Sequence, residues 1–544
     1  MGVVKDFFSS AFSFSKKEVV TERAVSPQAH FGYGRTLYVR SFDGEKNLGE
    51  IGPAIDYVLD HEVLRMRSWQ AYLESEVAQT VLKRYALWVV GKGLRLQAEP
   101  LEEVLKSEGV YFDKEAMEAF NEVSEARFKA WSGSNIADYS DMENLDKIQN
   151  TAFINAKIGG DVLVVLRYEE GSVKVQLIDG AHVCSPSFNS EFFVNAKENG
   201  NKILHGVEVD SKGKHVRYYV KKPGTGFNYD VTIVDARNSF GQIMSFMVYG
   251  SKYRIDNTRG IPLIATVLES LKKMERYKEA TVGSAEERQK IVYQIVHQAF
   301  STGENPLAMQ LAKASGFTPD DDLPVDVNGN QLANTVAATT NKQAFNMPNG
   351  AEMKTLESKN ELYFKDFYTI NIDIVCAAIG IPPNVAMSKY DSNFSASRAA
   401  LKDWEHTLTV ERAGFSFQFN RPVYSLWLDI EVMKNKVQAP GYIAAFLQKN
   451  RTVLDAWRNA RFAGANVPHI DPLKEVNAER AKLGDAGKNI PLTTVEAATE
   501  ALNNGDSDNN MRQYSEELKY AKELGIELVE APTTAAPAKT DQGD

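Results

Sequence analysis

The sequence predicts an α+β protein in which a β-rich segment lies between two largely helical ones. Short alternating runs of β-branched and aromatic residues dominate residues 160–255. Apolar residues recur at helical spacing before that segment, in 47–88, and after it, from residue 260 and again in 443–520. At 544 residues the chain is too long for one simple core, so we expect two to four structural units.

The composition argues against several classes of protein. The net charge is −10, whereas proteins that hold nucleic acid tightly carry an excess of basic residues, so any contact with DNA is expected to be weak and local. The two cysteines, Cys184 and Cys376, are far apart in sequence, which favours a reducing, intracellular origin. No apolar run reaches the roughly 20 residues that span a bilayer, so no membrane partner is expected. The N-terminus lacks the apolar core of a signal peptide.

The first helical region is followed by strand signals. Helical spacing in 47–88 ends where Gly91 and Gly93 interrupt it, and a short strand follows before a second helical region at 101–158. The run DVLVVLRYEEGSVKVQLID then places two β-branched segments on either side of Glu169-Glu170-Gly171, which predicts a β-hairpin. Further strands are predicted at 205–209, 215–221 and 243–248.

A long helix is predicted after the β-rich segment. Gly260-Ile261-Pro262 opens it, because proline is tolerated in a first helical turn. It extends for up to about 38 residues, or roughly 57 Å, unless Gly283 bends it. Its charged surface predicts packing between neighbours rather than deep burial. Residues 300–357 are loop-rich, and the short MKTL strand ends them.

A helix, a proline stop, a polar loop and a second helix follow one another in 370–432. The first helix ends at Gly380 and Pro382-Pro383, since proline cannot donate to the helical ladder. The loop then holds Lys389, Tyr390, Asp391, Ser392 and Asn393. Asn393 or Ser395 is placed to cap the second helix, which carries Arg398, Leu401, Trp404 and Leu408. The sequence therefore predicts a loop that projects from two helices.

No catalytic or metal-binding constellation is apparent. GKGLR at Gly91 lacks the spacing of a phosphate-binding loop, and His61-Glu62 lacks a second histidine four residues on. The acidic run at Asp320 lacks the terminal glutamate of a calcium loop, and GFSFQF at Gly414 lacks the second glycine of a nucleophile elbow. We therefore expect no enzymatic activity, no catalytic residues, no metal and no cofactor.

Two cations near the projecting loop have open interpretations. Lys389 is either an ordinary surface lysine or a phosphate contact. Arg398 could cap its helix, pair with Asp391 or Asp403, or face a neighbouring chain.

Several blocks of sequence, taken in order, resemble one family. They include YGRTLYVRSF, VVGKGLRLQAEP, GGDVLVVLRYEEG, RGIPLIATVLESLKKMERYKEA, MPNGAEMKTLESKNELYFKDF, AAIGIPP, SNFSASRAALKDW and IDPLKEVNAERAKL. Over roughly residues 30–510 the chain resembles the lambda-type portal proteins of tailed bacteriophages. Each block alone shows only residues that are common in helices and turns, so the resemblance depends on the order in which the blocks occur.

The resemblance implies a ring-forming portal fold with a mixed wing, long stem helices, a small α/β clip and a helical crown. The implied domains are a flexible N-terminal arm at 1–30, the wing (helical, then β-rich) at 31–261, the first stem helix at 262–297, the clip at 298–357, the second stem helix at 358–380, the tunnel loop at 381–395, a long wing helix and connection at 396–439, the helical crown at 440–525 and a disordered tail at 526–544. The insertion SGFTPDDDLPVDVNGNQLANTVAATTNKQ in the clip and GDAGKNIPLTT in the crown depart from the family pattern.

The resemblance also implies a function and partners. A ring, usually of twelve copies, forms the channel at one capsid vertex through which double-stranded DNA is packaged and ejected. It docks the terminase large subunit and later a head-tail adaptor, and it meets the major capsid and scaffolding proteins. The chain would be in the host cytoplasm during assembly and then at the portal vertex of the virion. In the tunnel loop, Ser388, Lys389, Tyr390 and Asn393 are expected to face the DNA, bound weakly and without sequence preference.

Two other functions compete with this interpretation. A DNA-processing nuclease or an assembly protease would need a carboxylate cluster or a nucleophile with its base, and neither is apparent. Another ring-forming head-tail adaptor is disfavoured because such proteins are usually far shorter.

Overall fold

The computed structural model describes residues 39–40, 46–47, 61–186, 190–222, 231–253, 255, 257–290, 294–297, 351–354, 364–389, 394–467, 472–484, 491–503, 505 and 507–526. The N-terminal arm, most of the predicted clip, and Tyr390 and Asn393 of the predicted loop lie outside these residues. Both helices and antiparallel strands are present, so the predicted α+β class is confirmed.

The helices of the described residues are α1 His61–Glu74, α2 Glu76–Val89, α3 Glu102–Ser107, α4 Lys114–Gly133, α5 Leu145–Gly159, α6 Glu191–Glu198, α7 Leu268–Lys290, α8 Phe364–Ile379, α9 Pro383–Met387, α10 Phe394–Phe415, α11 Arg421–Met433, α12 Tyr442–Gln448, α13 Arg451–Trp457, α14 Pro472–Leu483, α15 Val495–Asn503 and α16 Ser507–Glu523. The strands are β1 Val39–Arg40, β2 Lys46–Asn47, β3 Arg95–Ala98, β4 Asp161–Glu169, β5 Ser172–Asp179, β6 Lys202–Leu204, β7 Val207–Val209, β8 His215–Lys221, β9 Val231–Asp235, β10 Ser245–Tyr249, β11 Gln294–His297, β12 Ala351–Lys354 and β13 Ala460–Ala463. The chain divides into a large unit, residues 1–269 with 375–544, and a small unit, residues 270–374.

The central sheet of the large unit is built on the predicted hairpin. β4 lies between β10 and β5, and all three strands are antiparallel. Glu170 and Gly171 both have positive φ, 53° and 77°, which is the geometry of a tight turn between twisted strands. The first six residues of β4 are buried, as the run of β-branched residues indicates. The hairpin prediction is therefore confirmed.

A second sheet in the large unit is a meander in the order β6-β7-β8-β9. The side chains that form one core between the two sheets include Leu163, Val165, Val183, Val207, Val209, Tyr218, Ala236 and Met247. The predicted strand at 215–221 is confirmed with those bounds, whereas the two other strands begin later than predicted, at Val207 and Ser245. Positive φ at His205 and Gly206 places a turn where the earlier strand was expected to begin.

An aromatic core joins the helices of the large unit. Trp404 is fully buried on α10, and its ring lies 5.6 Å from that of Tyr85 on α2. Tyr85 stacks on Phe153 of α5, which meets Phe415 edge-on at 5.2 Å. Large aromatic side chains bury the most apolar area per residue, so α2, α5 and α10 are held together chiefly here.

α10 and α11 form one long helical stretch with a π-helical turn at Ser416–Asn420 between them. The prediction of a long helix through this region is confirmed. Before the π turn the stretch packs against Tyr85 and Phe153, and after it Trp427 meets Phe128 of α4 edge-on at 5.1 Å.

The small unit contains most of α7, the first part of α8 and the antiparallel pair β11–β12. The predicted helix of up to about 38 residues is wrong in its bounds. Residues Leu263–Thr266 form a 3₁₀ turn, α7 is 23 residues long and passes through Gly283, and Gln294–His297 form a strand. The β-branched pair Ile295-Val296 favours the strand, which pairs with β12. The strand predicted at MKTL, 353–356, begins two residues earlier than expected, and residues 355–356 lie outside the described residues.

Candidate functional site

The projecting loop starts from a well-defined helix end. Gly380 has φ of 84°, a left-handed conformation that glycine adopts without strain, and it ends α8. Its N–H donates to the carbonyl of Cys376 at 2.9 Å, and the N–H of Ile381 donates to the same carbonyl at 3.0 Å. Ile381 is buried, so the chain enters the loop with its direction fixed by both hydrogen bonds and packing.

The first part of the range assigned to the tunnel loop is a short helix. α9 starts with Pro383 in its first turn, packs against α2, and buries Val385 and Ala386. Proline at this position does not destabilise the helix, because the first helical N–H groups have no hydrogen-bond partner within the helix. The range 381–395 assigned to the tunnel loop therefore begins with a short helix, which the buried side chains of Val385 and Ala386 anchor.

The exposed end of the site is Ser388 and Lys389. Ser388 adopts a left-handed conformation with φ of 54°, which turns the chain out of α9. The N–H of Lys389 donates to the carbonyl of Asn384 at 3.0 Å, so the backbone of the lysine is held while its side chain is exposed. In the described part of the chain, no hydrogen bond or ion pair of the lysine ammonium is present.

The helix that follows the loop is fixed within the large unit by two cations, the partly buried Arg412 and the buried Lys157. Arg412 donates to the carbonyls of Val89 at 3.0 Å and Trp88 at 2.8 Å, where the last carbonyls of α2 need donors. Lys157 of α5 pairs with Glu411 at 2.9 Å and donates to the carbonyl of Gly250. These contacts hold the C-terminal half of α10.

Arg398 has a partner that the sequence did not suggest. Its guanidinium lies 3.9 Å from Glu475 of α14, and among the described residues it forms no ion pair with Asp403; Asp391 lies outside the described residues. This half-exposed pair at long distance contributes little to stability.

A buried ion cluster lies just before α7. The carboxylate of Asp161 accepts from Arg259 at 2.7 and 2.8 Å and from the N–H of Gly260 at 2.9 Å, and Arg65 also donates to it. Burial alone would raise the pKa of Asp161, but the two guanidinium groups and the Gly260 N–H hold it well below its usual range. The cluster therefore keeps one ionised carboxylate inside the large unit.

The backbone around this cluster has no room for side chains. A Cβ on Gly260 would lie 1.9 Å from the carbonyl oxygen of Gly160, and Gly160 itself has φ of 99°. Both glycines occur in the blocks GGDVLVVL and RGIPLIAT, but neither block reveals that Asp161 and Arg259 pair. The sequence does show that Asp161 stands beside an apolar run, and a carboxylate buried there requires a cationic or hydrogen-bonding partner.

A second buried carboxylate ties together three segments of the large unit. Asp429 of α11 pairs with Arg458 at 2.6 Å, accepts from the hydroxyl of Tyr442, and accepts from Gln242 Nε2 at 2.5 Å. Burial and the adjacent carboxylate raise the pKa of Tyr442 well above its ordinary value. The phenol therefore stays protonated and donates.

The described residues contain no group of three or more His, Cys, Asp or Glu side chains arranged to hold a metal ion. Over the same residues, no helix has the length and apolar character needed to cross a membrane.

Burial lowers the pKa of His61 to about 3, and its ring meets that of His205 at 4.8 Å.

The family model for "Phage portal protein, lambda family" matches residues 51–412, which include the central sheet, α7, α8, the projecting loop and most of α10. The chain belongs to this family. Lambda-family portal proteins are structural components of the phage rather than enzymes.

The portal protein is also similar to chains from solved structures of a gene transfer agent (GTA) particle. One is the neck of the native particle computed with C12 symmetry, with 11% identity, coverage of 81% of this chain and 93% of that chain, and a TM-score of 0.41. Another is the neck of the empty particle computed with C6 symmetry, with 11% identity, coverage of 83% and 94%, and a TM-score of 0.42. No curated protein matches the chain.

Proposed function

We propose that this portal protein assembles into a ring, of twelve copies as is usual for such proteins, which forms the DNA channel at one capsid vertex. The family match over residues 51–412 carries the proposal. The ring would pass double-stranded DNA during packaging and ejection, and it would dock the terminase large subunit and then a head-tail adaptor. The major capsid and scaffolding proteins would contact the outer face of the ring. The ring would assemble in the host cytoplasm.

An exposed apolar stripe on α8 supports ring formation. Ile370 is 57% exposed and Ile374 is 51% exposed, and they lie four residues apart on one helix face, with Phe367 one turn before Ile370. Isolated exposed apolar side chains are common, but a stripe at helical spacing along one helix is typical of a contact surface. A neighbouring copy of the chain would cover it.

The exposed lysine supports a DNA-facing role for the loop, with Ser388, Lys389, Tyr390 and Asn393 as the residues that meet the duplex. Lys389 is held by its backbone at the end of an anchored helix, with its ammonium in solvent. Repeated around a ring, single lysines in an acidic protein would touch phosphates without binding them tightly. Such weak contacts suit a duplex that must slide.

The substitution Lys389→Glu tests this proposal. We expect rings of normal appearance in negative-stain micrographs and a several-fold reduction in the DNA packaged or retained per particle, because twelve phosphate contacts become repulsive. Lys129→Glu is the matched control, since Lys129 is an exposed lysine on α4, far from the loop in sequence. The control should package DNA as the parent does.

Three results would contradict parts of the proposal. A parent protein that stays monomeric would refute the ring. Failure of Lys389→Glu to form rings would show that the loop contacts protein rather than DNA. Equal amounts of packaged DNA in the two variants would show that Lys389 does not contact the DNA.

A further inference from the structure

An open apolar pocket lies on the large unit, away from the projecting loop in sequence. Its volume is about 320 Å³, and its lining residues are Phe240, Gln242, Met433, Tyr442, Ile443, Phe446 and Leu447. A cavity of roughly 150 Å³ holds one benzene ring, so this pocket has room for about two apolar side chains. Neither the apolar stripe on α8 nor the DNA-facing loop includes any of these residues.

The pocket exposes large apolar side chains that the fold itself does not cover. Leu447 is 75% exposed, Phe240 is 67% exposed and Ile443 is 53% exposed. The rings of Phe240 and Phe446 lie 6.2 Å apart and form one wall. Clustered apolar exposure of this kind marks an interaction site more often than scattered surface residues do.

The polar atoms beneath the pocket already have partners. The Tyr442 hydroxyl and Gln242 Nε2 both donate to Asp429, and Arg458 neutralises that carboxylate at 2.6 Å. These hydrogen bonds fix the two polar lining residues to the interior of the fold. An apolar side chain could therefore enter the pocket without leaving a polar group of the pocket unpaired.

Three cationic residues lie close in sequence to residues that line the pocket. Arg237 donates to the carbonyl of Gly241 at 2.9 Å, between lining residues Phe240 and Gln242. Lys449 ends α12 two residues after Leu447, and Lys436 follows Met433 by three residues; all three cations are exposed. The carboxylates of α11 are engaged elsewhere, Asp429 by Arg458 and Glu431 by Arg127 at 2.5 Å. The rim therefore favours an acidic occupant.

The end of the chain has the matching chemistry. Residues 523–532 read ELGIELVEAP, with apolar residues Leu524, Ile526, Leu528 and Val529 between Glu523, Glu527 and Glu530. Leu524 and Ile526 are exposed at the end of α16. The other apolar terminus, VVKDFFSSAFSFSKK at residues 3–17, is net basic and would be repelled by the rim.

The C-terminal helix and the helix that contributes Met433 to the pocket both form ion pairs with α4. Arg512 of α16 pairs with Glu122 of α4 at 3.3 Å, and Arg127, farther along α4, pairs with Glu431, two residues before Met433. From Arg512 to Glu523 the helix advances about 17 Å. Nine further residues reach up to roughly 30 Å when extended.

We propose that residues 523–532 dock in this pocket through their leucine, isoleucine and valine side chains, with the three glutamates facing Arg237, Lys436 and Lys449. Docking would be intramolecular or between neighbouring copies of the chain, and the same segment and pocket serve in both cases. The inference is independent of the proposed DNA channel.

The probe is a fluorescein-labelled peptide of residues 523–532, and the receptor is the chain truncated after Lys522. Fluorescence anisotropy should show saturable binding to the truncated chain and at least tenfold weaker binding to the full chain, because the attached segment competes at high effective concentration. Added salt should weaken binding, since the complementary charges are exposed.

Leu447→Lys in the truncated chain should reduce peptide affinity at least tenfold. Leu473→Lys is the matched control, because Leu473 is equally exposed but lies on α14. Melting curves of both variants check that each is folded. A peptide with the three glutamates changed to glutamine should bind more weakly than the parent peptide.

Three outcomes would overturn the proposal. These are the absence of peptide binding by the truncated chain, equal binding by Leu447→Lys and Leu473→Lys, or tighter binding of the residue 3–17 peptide. The last result would assign the pocket to the N-terminal segment.

Discussion

Replacing Arg259 by methionine removes a buried cation that connects several segments of the large unit. Arg259 donates to both oxygens of Asp161 and to the carbonyls of Val183 at 2.8 Å, His205 at 2.9 Å and Gly180 at 2.6 Å. Methionine keeps much of the aliphatic stem but supplies none of these donors. The substitution therefore tests the buried ion cluster without opening a large cavity.

The expected decrease in the free energy of unfolding follows from the groups that lose a hydrogen-bond or ion-pair partner. Leaving a buried carboxylate without one of its cations costs about 3–5 kcal/mol, and the lower value applies here because Arg65 still pairs with Asp161. Each of the three carbonyls loses a hydrogen bond worth about 1 kcal/mol. The free energy of unfolding should therefore fall by on the order of 5 kcal/mol, a large part of the stability of a typical domain.

Urea unfolding followed by tryptophan fluorescence measures this change. The unfolding midpoint of Arg259→Met should fall by roughly 2 M relative to the parent. Arg512→Met is the matched control, because Arg512 also pairs with a carboxylate, Glu122, but the two side chains are 46% and 67% exposed, so it should cost no more than about 1 kcal/mol. Equal midpoints for the two variants would refute the idea that the cluster stabilises the large unit.

Two further predictions concern the same unit. Trp404→Ala should lower the free energy of unfolding by roughly 3–5 kcal/mol, since the ring is fully buried against Tyr85, and a near-neutral melting shift would contradict its place in the core. Because the folded pKa of Asp161 is depressed, its ionisation contributes stability above its unfolded pKa of about 3.9, and that contribution is lost as the pH falls below it. Melting temperatures of Asp161→Asn between pH 2 and 6 should therefore fall less steeply with acid than those of the parent, and equal slopes would exclude Asp161 as the cause.

Local patterns predicted the parts of the fold that short-range chemistry determines. The hairpin at Glu170-Gly171 follows from turn residues between two β-branched runs, and the end of α8 follows from Gly380 and the prolines after it. Trp404 occupies the core position that its helical spacing indicates. The family resemblance, carried by the order of several weak blocks, is confirmed by the match over residues 51–412.

Long-range partners were not predictable in this way. Asp161 and Arg259 are 98 residues apart, and Arg412 reaches carbonyls more than 300 residues earlier, so no local pattern reveals either contact. The short helix Pro383–Met387 was not predicted because it begins at the second of two prolines that indicated a helix end, and it is only five residues long. Strand β11 was missed because its four residues follow a strongly helical run without a glycine or proline between them.

The π-helical turn at Ser416–Asn420 changes the rotational phase of the long helix. One extra residue in a turn advances the following side chains by about 100° relative to a continuous α-helix. Side chains of α10 can thus face Tyr85 and Phe153, while those of α11 face Phe128 and the segment that contains Arg458. Removing one residue from this turn would turn Asp429 away from Arg458 without altering any side chain at that contact. A single main-chain irregularity therefore lets one helix serve two separate cores.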